Sequence, residues 1–330
     1  MRKFVIFLLL FLGATFFYLS FGELENVVTT LRSGNIAFLL LGILFQVGWF
    51  FAVGYTYRSL YRLFDIPASL YRTTLLSSAS DFVNAIAPSA GISGIAVFIS
   101  DANRKGYPSG KVTIIGMLFV LIDYIAFLSV LALGLIVLFR RNDLDLGEML
   151  ASAVMLIIAL TLGSLFYLGS RSADALGRAL AWMTRLVNRI VKPFLRRDYL
   201  DEARAHTFAR EIATDLKALP QKKNSLLVPL LSAFTAKVFS MLVLTATFLA
   251  FNASFSVGTI VGGFSISYLF LIISPTPSGV GIVEGVMPLA LSSLHVPLSQ
   301  AVVITLAYRG ITFWIMLGVG AIALHLLERR

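Results

Sequence analysis

Long apolar runs, separated by short polar or basic segments, dominate the pattern of this chain. A helix needs about 20 apolar residues to cross a bilayer. Six runs of roughly that length occur, at residues 4–21, 36–57, 112–139, 150–169, 226–251 and 300–326. Each of these runs predicts one spanning helix.

Two further apolar stretches, 73–100 and 257–294, are interrupted in the middle by proline and glycine. The first break contains Pro88, Gly91 and Gly94, and the second contains two prolines and two glycines: Pro275, Pro277, Gly279 and Gly281. Proline ends a helix, and glycine lets backbones approach closely. Such breaks persist in a membrane only where they are buried in protein or line a polar cavity. We therefore interpret both stretches as re-entrant hairpins that enter and leave on the same side.

The predicted elements recur at a nearly constant spacing. Ile36 and Leu226 are 190 positions apart, Pro88 and Pro277 are 189 apart, and Val112 and Gln300 are 188 apart. This spacing predicts two repeats, 1–139 and 150–326, of opposite membrane orientation, with a cytoplasmic insertion at 170–223. Inverted repeats with broken helices are typical of alternating-access transporters. The alternative is a duplication that serves packing alone, with glycine and proline as ordinary helix kinks.

The sequence thus predicts an all-α polytopic membrane protein that forms a single membrane domain over residues 1–330. It has six spanning helices plus two re-entrant helical hairpins in an inverted repeat. The composition agrees, since 58% of the residues are hydrophobic and only 13% are charged. We expect the run at 4–21 to be a retained anchor, and the alternative is a cleaved signal peptide.

The net charge of +10 follows the predicted topology. The predicted cytoplasmic segments hold 22 of the 27 Lys and Arg residues, and the predicted outer loops hold 3. This bias agrees with the positive-inside rule. We therefore expect a multi-pass protein of the cell (plasma) membrane with both termini in the cytoplasm, and the charge gives no reason to expect nucleic-acid binding.

The insertion contains a basic amphipathic pattern at residues 176–194. Its apolar positions recur every three or four residues, and four basic residues fall between them: Arg178, Arg185, Arg189 and Lys192. A helix of this kind lies along a membrane surface and binds anionic lipid of the inner leaflet. An ordinary linker between repeats is an equally good interpretation.

Five ionisable residues fall inside the predicted membrane region: Asp81, Asp123, Lys237, Glu284 and Arg309. Each costs on the order of 3 kcal/mol at the centre of a spanning helix, so such residues pair or face a cavity. We expect Asp123 and Lys237 to form a structural pair. We expect Glu284 and Arg309 to contact a charged headgroup, and the alternative is a bridge that only locks two helices together.

Enzymatic chemistry finds no support in the sequence. The chain has no cysteine and three scattered histidines, and it contains neither a zinc-protease motif nor a nucleophile elbow nor a phosphate-binding P-loop. We expect no enzyme activity, no cofactor and no metal.

The segment from Pro275 to Gly285 and the pair Tyr308-Arg309 resemble the flippase-like transmembrane family of lysylphosphatidylglycerol synthase, the UPF0104 family. The motif Asn84…Pro88…Gly91…Gly94 resembles the first-half motif of that family. The resemblance spans essentially the whole chain and implies movement of polar lipids between leaflets. Together with the membrane carboxylate of Asp81, it gives the candidate substrate-binding residues: Asp81, Asn84, Pro88, Gly91, Gly94, Pro275, Pro277, Gly279, Gly281, Glu284, Tyr308 and Arg309.

Two functions follow from these observations. The first is a flippase or transporter for a polar-headgroup lipid or a lipid-linked intermediate. Some relatives also carry an aminoacyl-transferase domain that this sequence lacks, so we expect the chain to move or bind the lipid and not to make it. The alternative function is a membrane scaffold that assists a lipid-modifying enzyme or a glycosyltransferase.

Overall fold

A computed structural model describes residues 28–86, 92–141, 171–195, 226–274 and 276–329, and isolated positions between 149 and 168. All regular structure in these ranges is helical. The predicted span at 4–21 lies outside the described residues, and so does most of the span at 150–169. Pro88, Gly91 and Pro275 also lie outside them, as does the insertion beyond residue 195.

Besides a short helical segment at residues 28–33, ten helices have defined bounds in the described ranges. In chain order they are α1 (Ile36–Leu63), α2 (Leu70–Ile86), α3 (Ile92–Lys105), α4 (Ser109–Arg141), α5 (Ala173–Leu195), α6 (Leu227–Ala250), α7 (Val257–Ile273), α8 (Ile282–Ser293), α9 (Leu298–Arg309) and α10 (Ile315–Glu328). A 3-10 turn at Pro277–Gly279 lies between α7 and α8, and a π-helical turn at Gly310–Trp314 joins α9 to α10.

Four helical rods are long and apolar enough to cross a membrane: α1, α4, α6 and the continuous rod Leu298–Glu328. They coincide with the predicted spans at 36–57, 112–139, 226–251 and 300–326, and these four predictions are confirmed. Three of the four extend a few residues beyond the apolar runs, because a helix continues into the polar interface, and α6 lies within its run. The chain is a multi-pass membrane protein.

Both broken stretches form pairs of shorter helices. The helices α2 and α3 pack against each other, and so do α7 and α8. An ion pair between Arg72 and Asp101 joins the first turn of α2 to the last turn of α3, with Arg72 Nε 3.2 Å from Asp101 Oδ2. The first pair therefore begins and ends at the same level of the molecule.

Helices from the two halves of the chain pack against each other in a reciprocal way. The helices α1 and α6 run antiparallel, and the Asn35 amide donates to the Ala250 carbonyl at 2.8 Å. The helix α2 packs on α10, and α7 packs on α4. Each broken stretch thus lies against the long closing helix of the other half.

One end of the described bundle is basic. The Arg104 guanidinium donates to the Leu327 carbonyl at 3.1 Å, so α3 and α10 finish at the same level. The basic residues near this level are Arg58, Arg62, Arg72, Arg104, Lys105, Lys111 and Arg329. We call this level the basic end, and the level of Asn35 and Ala250 the opposite end.

The helix α5 packs at the basic end through the apolar face that the sequence suggested for lipid. Leu176 is buried in the same hydrophobic cluster as Phe64 and Ala102, and Leu180 packs against that cluster. This part of the apolar face therefore contacts protein. The exposed side of α5 carries a stripe of three arginines and a tryptophan: Arg178, Trp182, Arg185 and Arg189.

Candidate functional site

At the tip of the second broken stretch, three residues adopt the left-handed backbone conformation. Ser278, Gly279 and Gly281 have φ angles of 48°, 71° and 81°. A Cβ atom on Gly279 would lie 2.6 Å from Val283 Cγ2, so glycine is needed there for space as well as for conformation. This left-handed turn connects α7 to α8 and fixes the direction of the Ser278 carbonyl.

Arg309 of α9 joins this tip to the last span. Its side chain is buried, and its Nε donates to the Glu284 carboxylate while Nη2 donates to the Ser278 carbonyl at 3.1 Å. The guanidinium carbon lies 4.5 Å from the centre of the Phe313 ring. Glu284 also accepts the Gly281 amide at 2.7 Å. One buried ion pair therefore holds the turn, the start of α8 and the last span together.

The first tip is held by a neutral side chain in a comparable position. Asn84 Oδ1 accepts the Gly94 amide at 2.7 Å and the Ser93 hydroxyl at 2.8 Å. A Cβ atom on Gly94 would lie 2.5 Å from Asn84 Nδ2, so glycine allows this close contact. In both stretches a side-chain oxygen satisfies a backbone amide at the start of the returning helix. The described residues of the first tip contain no charged group.

The two tip regions meet inside the molecule. The helix α2 contacts the turn Pro277–Gly279, and Ala85, Val280 and Phe313 form one buried cluster with Trp314 packed against it. Trp314 Nε1 is buried and has no hydrogen-bond partner among the described residues. Since buried donors are generally satisfied, this indole N–H is a donor free for a polar ligand.

A second polar cluster lies deeper between the long helices. Lys237 Nζ is 2.8 Å from the Asp123 carboxylate and 2.6 Å from Tyr268 Oη, and the Tyr268 hydroxyl donates to Asp123 at 3.2 Å. The Lys237 ammonium also lies 4.0 Å from the centre of the Tyr268 ring. The helices α4, α6 and α7 each supply one of the three groups.

Asp81 of α2 belongs with this cluster. It is close enough to Asp123, Lys237 and Tyr268 to interact with them electrostatically. Its Oδ2 atom is buried and has no hydrogen-bond partner among the described residues. The structure therefore separates the five predicted membrane charges into a pair at the second tip and a group of three beneath it.

The structure places most of the other predicted residues near the tips. Asn84, Gly94, Gly279 and Gly281 shape the two turns, and Pro277 opens the 3-10 turn. Tyr308 is buried in the main hydrophobic cluster. The predictions for Pro88, Gly91 and Pro275 fall outside the described residues.

Sequence reasoning missed four residues that complete these sites: Tyr268, Ser278, Phe313 and Trp314. A hydroxyl inside a long apolar run is a signal that could have identified Tyr268. The other three act through backbone or ring contacts that residue type alone does not reveal. No group of three or more metal-ligating side chains occurs in the described part of the chain.

Comparison with known proteins agrees with this arrangement. The family described as lysylphosphatidylglycerol synthase TM region matches residues 3–320. The chain belongs to that family. The match covers both tip regions, the charged pair, three of the described spans and the fourth as far as residue 320, so membership does not rest on one motif.

A related protein from a separate comparison is also a membrane protein. A UPF0104 membrane protein of Methanothermobacter thermautotrophicus is 26% identical over 200 residues. The aligned part covers 60% of this chain and 57% of that relative. The chain thus spans less than two thirds of the relative's length.

Proposed function

We propose that this chain moves a polar-headgroup lipid, or a lipid-linked intermediate, between the two leaflets of the membrane. The main support is the meeting of two broken-helix tips in the interior beside a buried arginine. Broken helices at membrane depth are tolerated where they line a cavity or binding site, and in transporters they lie at the repeat interface.

The chemistry of the tips favours an anionic headgroup. Arg309 presents a planar guanidinium that suits phosphate or carboxylate. Its Nε and Nη2 groups bind Glu284 and Ser278, which leaves further N–H donors on the same fork. The free donor of Trp314 lies in the same region. A headgroup oxygen at the tips would satisfy these donors.

We also propose the finer architecture: six spanning helices and two re-entrant hairpins arranged as inverted repeats over residues 1–139 and 150–326. The reciprocal packing of α2 on α10 and of α7 on α4 supports it. Gly134 and Gly320 lie at these two interfaces and are 186 positions apart, close to the spacing of the repeats.

The proposed orientation puts the basic end in the cytoplasm, in agreement with the positive-inside rule. The arginine stripe of α5 would then face anionic headgroups of the inner leaflet, and Trp182 would lie at the interface. We place the protein in the cell membrane. We propose that it has no enzyme activity of its own.

A reconstitution assay tests lipid movement directly. Purified protein would be inserted into vesicles that contain a trace of phosphatidylglycerol with a fluorescent headgroup-side label, and dithionite would then bleach the outer leaflet. We expect the bleached fraction to rise from about half, the share of one leaflet, towards completion. Empty vesicles and vesicles with the Arg309→Lys variant serve as controls.

The alternative function, a scaffold for a lipid-modifying enzyme, predicts a different outcome. A scaffold would leave bleaching at the level of empty vesicles for phosphatidylglycerol, phosphatidylethanolamine and an isoprenoid phosphate alike. That result would overturn the proposed function. Movement of one of these probes only would instead identify the headgroup class.

A further inference from the structure

Three buried polar atoms on α2 share one face and have no hydrogen-bond partner in the described structure: Thr74 Oγ1, Ser78 Oγ and Asp81 Oδ2. Their spacing of four and three residues places them on one stripe of the helix. Thr74 lies against Gly54 of α1, so the part of this stripe nearest the basic end faces α1. On α1, Arg58 Nε and Tyr61 Oη are likewise buried and unpartnered.

These groups form a line from the basic end to the charged cluster. Tyr61 is close enough to the Arg72–Asp101 pair at the basic end to interact with it electrostatically. Thr74 and Ser78 follow, and Asp81 lies about 14 Å along α2 from Arg72, given a rise of 1.5 Å per residue. Water is the usual partner of buried hydroxyls that have none in the protein, and water along this line would connect Asp81 to the basic end.

The charges around Asp81 do not balance. Lys237 is already bound to Asp123 and to Tyr268, so the two carboxylates share one ammonium. An unpaired buried carboxylate costs several kcal/mol. A proton on Asp81 removes this excess charge and turns the carboxyl group into a donor.

We propose that Asp81 is a proton-binding site of this protein, reached from the basic end along the Tyr61–Thr74–Ser78 line. In the step concerned, a hydronium ion in the solvent at the basic end gives up one proton and becomes water, the proton is relayed along that line, and the Asp81 carboxylate takes it to become a neutral carboxyl group. Release of the proton reverses the step, and Lys237 can then pair with either of two carboxylates, Asp81 or Asp123. This exchange of partners between α2 and α4 would link proton binding to the position of the first broken stretch.

A proton fits this site better than a metal ion. A metal ion needs several convergent oxygen ligands, and no cluster of three metal-ligating side chains occurs among the described residues. The groups that face Asp81 are Tyr57 from α1, Asp123 from α4, Lys237 from α6 and Tyr268 from α7. The other two helices that pack on α2 carry their ionisable side chains near the basic end: Asp101, Arg104, Lys105, His325 and Glu328.

Infrared difference spectroscopy of the purified protein tests the proposal without any lipid substrate. A protonated carboxyl group absorbs in a window that ionised carboxylates leave empty. We expect wild-type protein at neutral pH to show one buried carboxyl band that shifts when water is replaced by heavy water. Loss of the band in Asp81→Asn, with Asp174→Asn, which changes an exposed carboxylate of α5, as the matched control that keeps it, would assign the proton.

Two further variants keep the test decisive if Asp81→Asn does not fold. Asp123→Asn frees Lys237 to neutralise Asp81, so the band should disappear. Lys237→Met removes the ammonium from both acids, so the band should grow. An unchanged band in all three variants, or no band in wild-type protein, would overturn the proposal. Because the readout is proton occupancy, such a failure would leave the proposed lipid movement to its own assay.

Discussion

At the residue scale, the Glu284–Arg309 pair has two roles that experiments can separate. The pair fixes the second tip, because Arg309 also binds the Ser278 carbonyl and Glu284 also binds the Gly281 amide. In the proposed function the same guanidinium contacts a headgroup. Stability measures the first role, and lipid movement measures the second.

We predict that Glu284→Gln destabilises the fold by about 3–5 kcal/mol, because it leaves the buried guanidinium without a counter-charge. The double variant Glu284→Gln with Arg309→Gln should recover more than half of this loss, because neither charge is then buried alone. Thermal unfolding in detergent would measure both effects. Lipid movement should stay absent in the double variant, because the headgroup-binding group is gone.

Arg309→Lys tests the geometry of the site within the same cycle. Lysine keeps the charge but lacks the forked donors that reach Glu284 and Ser278 together. We expect slower lipid movement at nearly normal expression. If the double variant restored lipid movement to the wild-type rate, the pair would be a structural bridge and Arg309 would not bind the headgroup.

The five membrane charges can be identified from the sequence, because a charge inside an apolar run is conspicuous. From the cost of burial the sequence predicts a pair of Asp123 with Lys237, and it gives a Glu284–Arg309 bridge only as the alternative to headgroup contact. It does not place Asp81 with the Asp123–Lys237 pair, because that grouping depends on how α2 packs against helices more than 40 positions away. The sequence analysis does not include Tyr268 and Trp314 in the sites, because their positions there also depend on packing between distant helices.

At the scale of elements, glycine decides how closely α2 packs on the last span. A Cβ atom on Gly320 would lie 2.5 Å from the Ser78 carbonyl oxygen and 2.6 Å from Phe82 Cβ. The carbonyl belongs to the backbone and cannot turn away as a flexible side chain would. Gly318, two residues earlier on α10, has open space around its Cβ position.

We therefore predict that Gly320→Ala destabilises the protein by about 1–3 kcal/mol through overpacking. Gly318→Ala is the matched control, and it should be neutral or stabilise the helix by up to about 1 kcal/mol. Thermal unfolding of the two variants in the same detergent would compare them. Equal unfolding temperatures would show that α2 is not held against α10 at this point.

Element lengths also explain which predictions succeed. The four described spans follow from hydropathy, because a helix of that length and composition has few alternatives in a membrane. The breaks at proline and glycine predict two short helices in each broken stretch. The π-helical turn at Gly310–Trp314 has no sequence signal, because it depends on the packing that sets Arg309 and Phe313 against the second tip.

At the scale of the whole molecule, the reciprocal packing constrains the topology. The helices α2 and α3 begin and end at the basic end, where Arg72 meets Asp101 and Arg104 meets Leu327. At the opposite end, a Cβ atom on Gly262 of α7 would contact Leu294, which follows α8. Each broken stretch therefore returns to the level where it starts, and the two stretches start at opposite levels.

Single-cysteine labelling tests this topology on a background that has no native cysteine. We predict that Ser69→Cys and Tyr107→Cys, which flank the first broken stretch, react with an impermeant thiol reagent from the cytoplasmic side only. Ser254→Cys and Ser299→Cys, which flank the second, should react from the outer side only. In the proposed architecture, the two helices of this stretch, with 17 and 14 residues, reach into the bilayer and return to the side from which they entered. Labelling of Ser69→Cys and Tyr107→Cys from opposite faces would make the first stretch a true span, and the inverted repeat and the positive-inside assignment would then both fail.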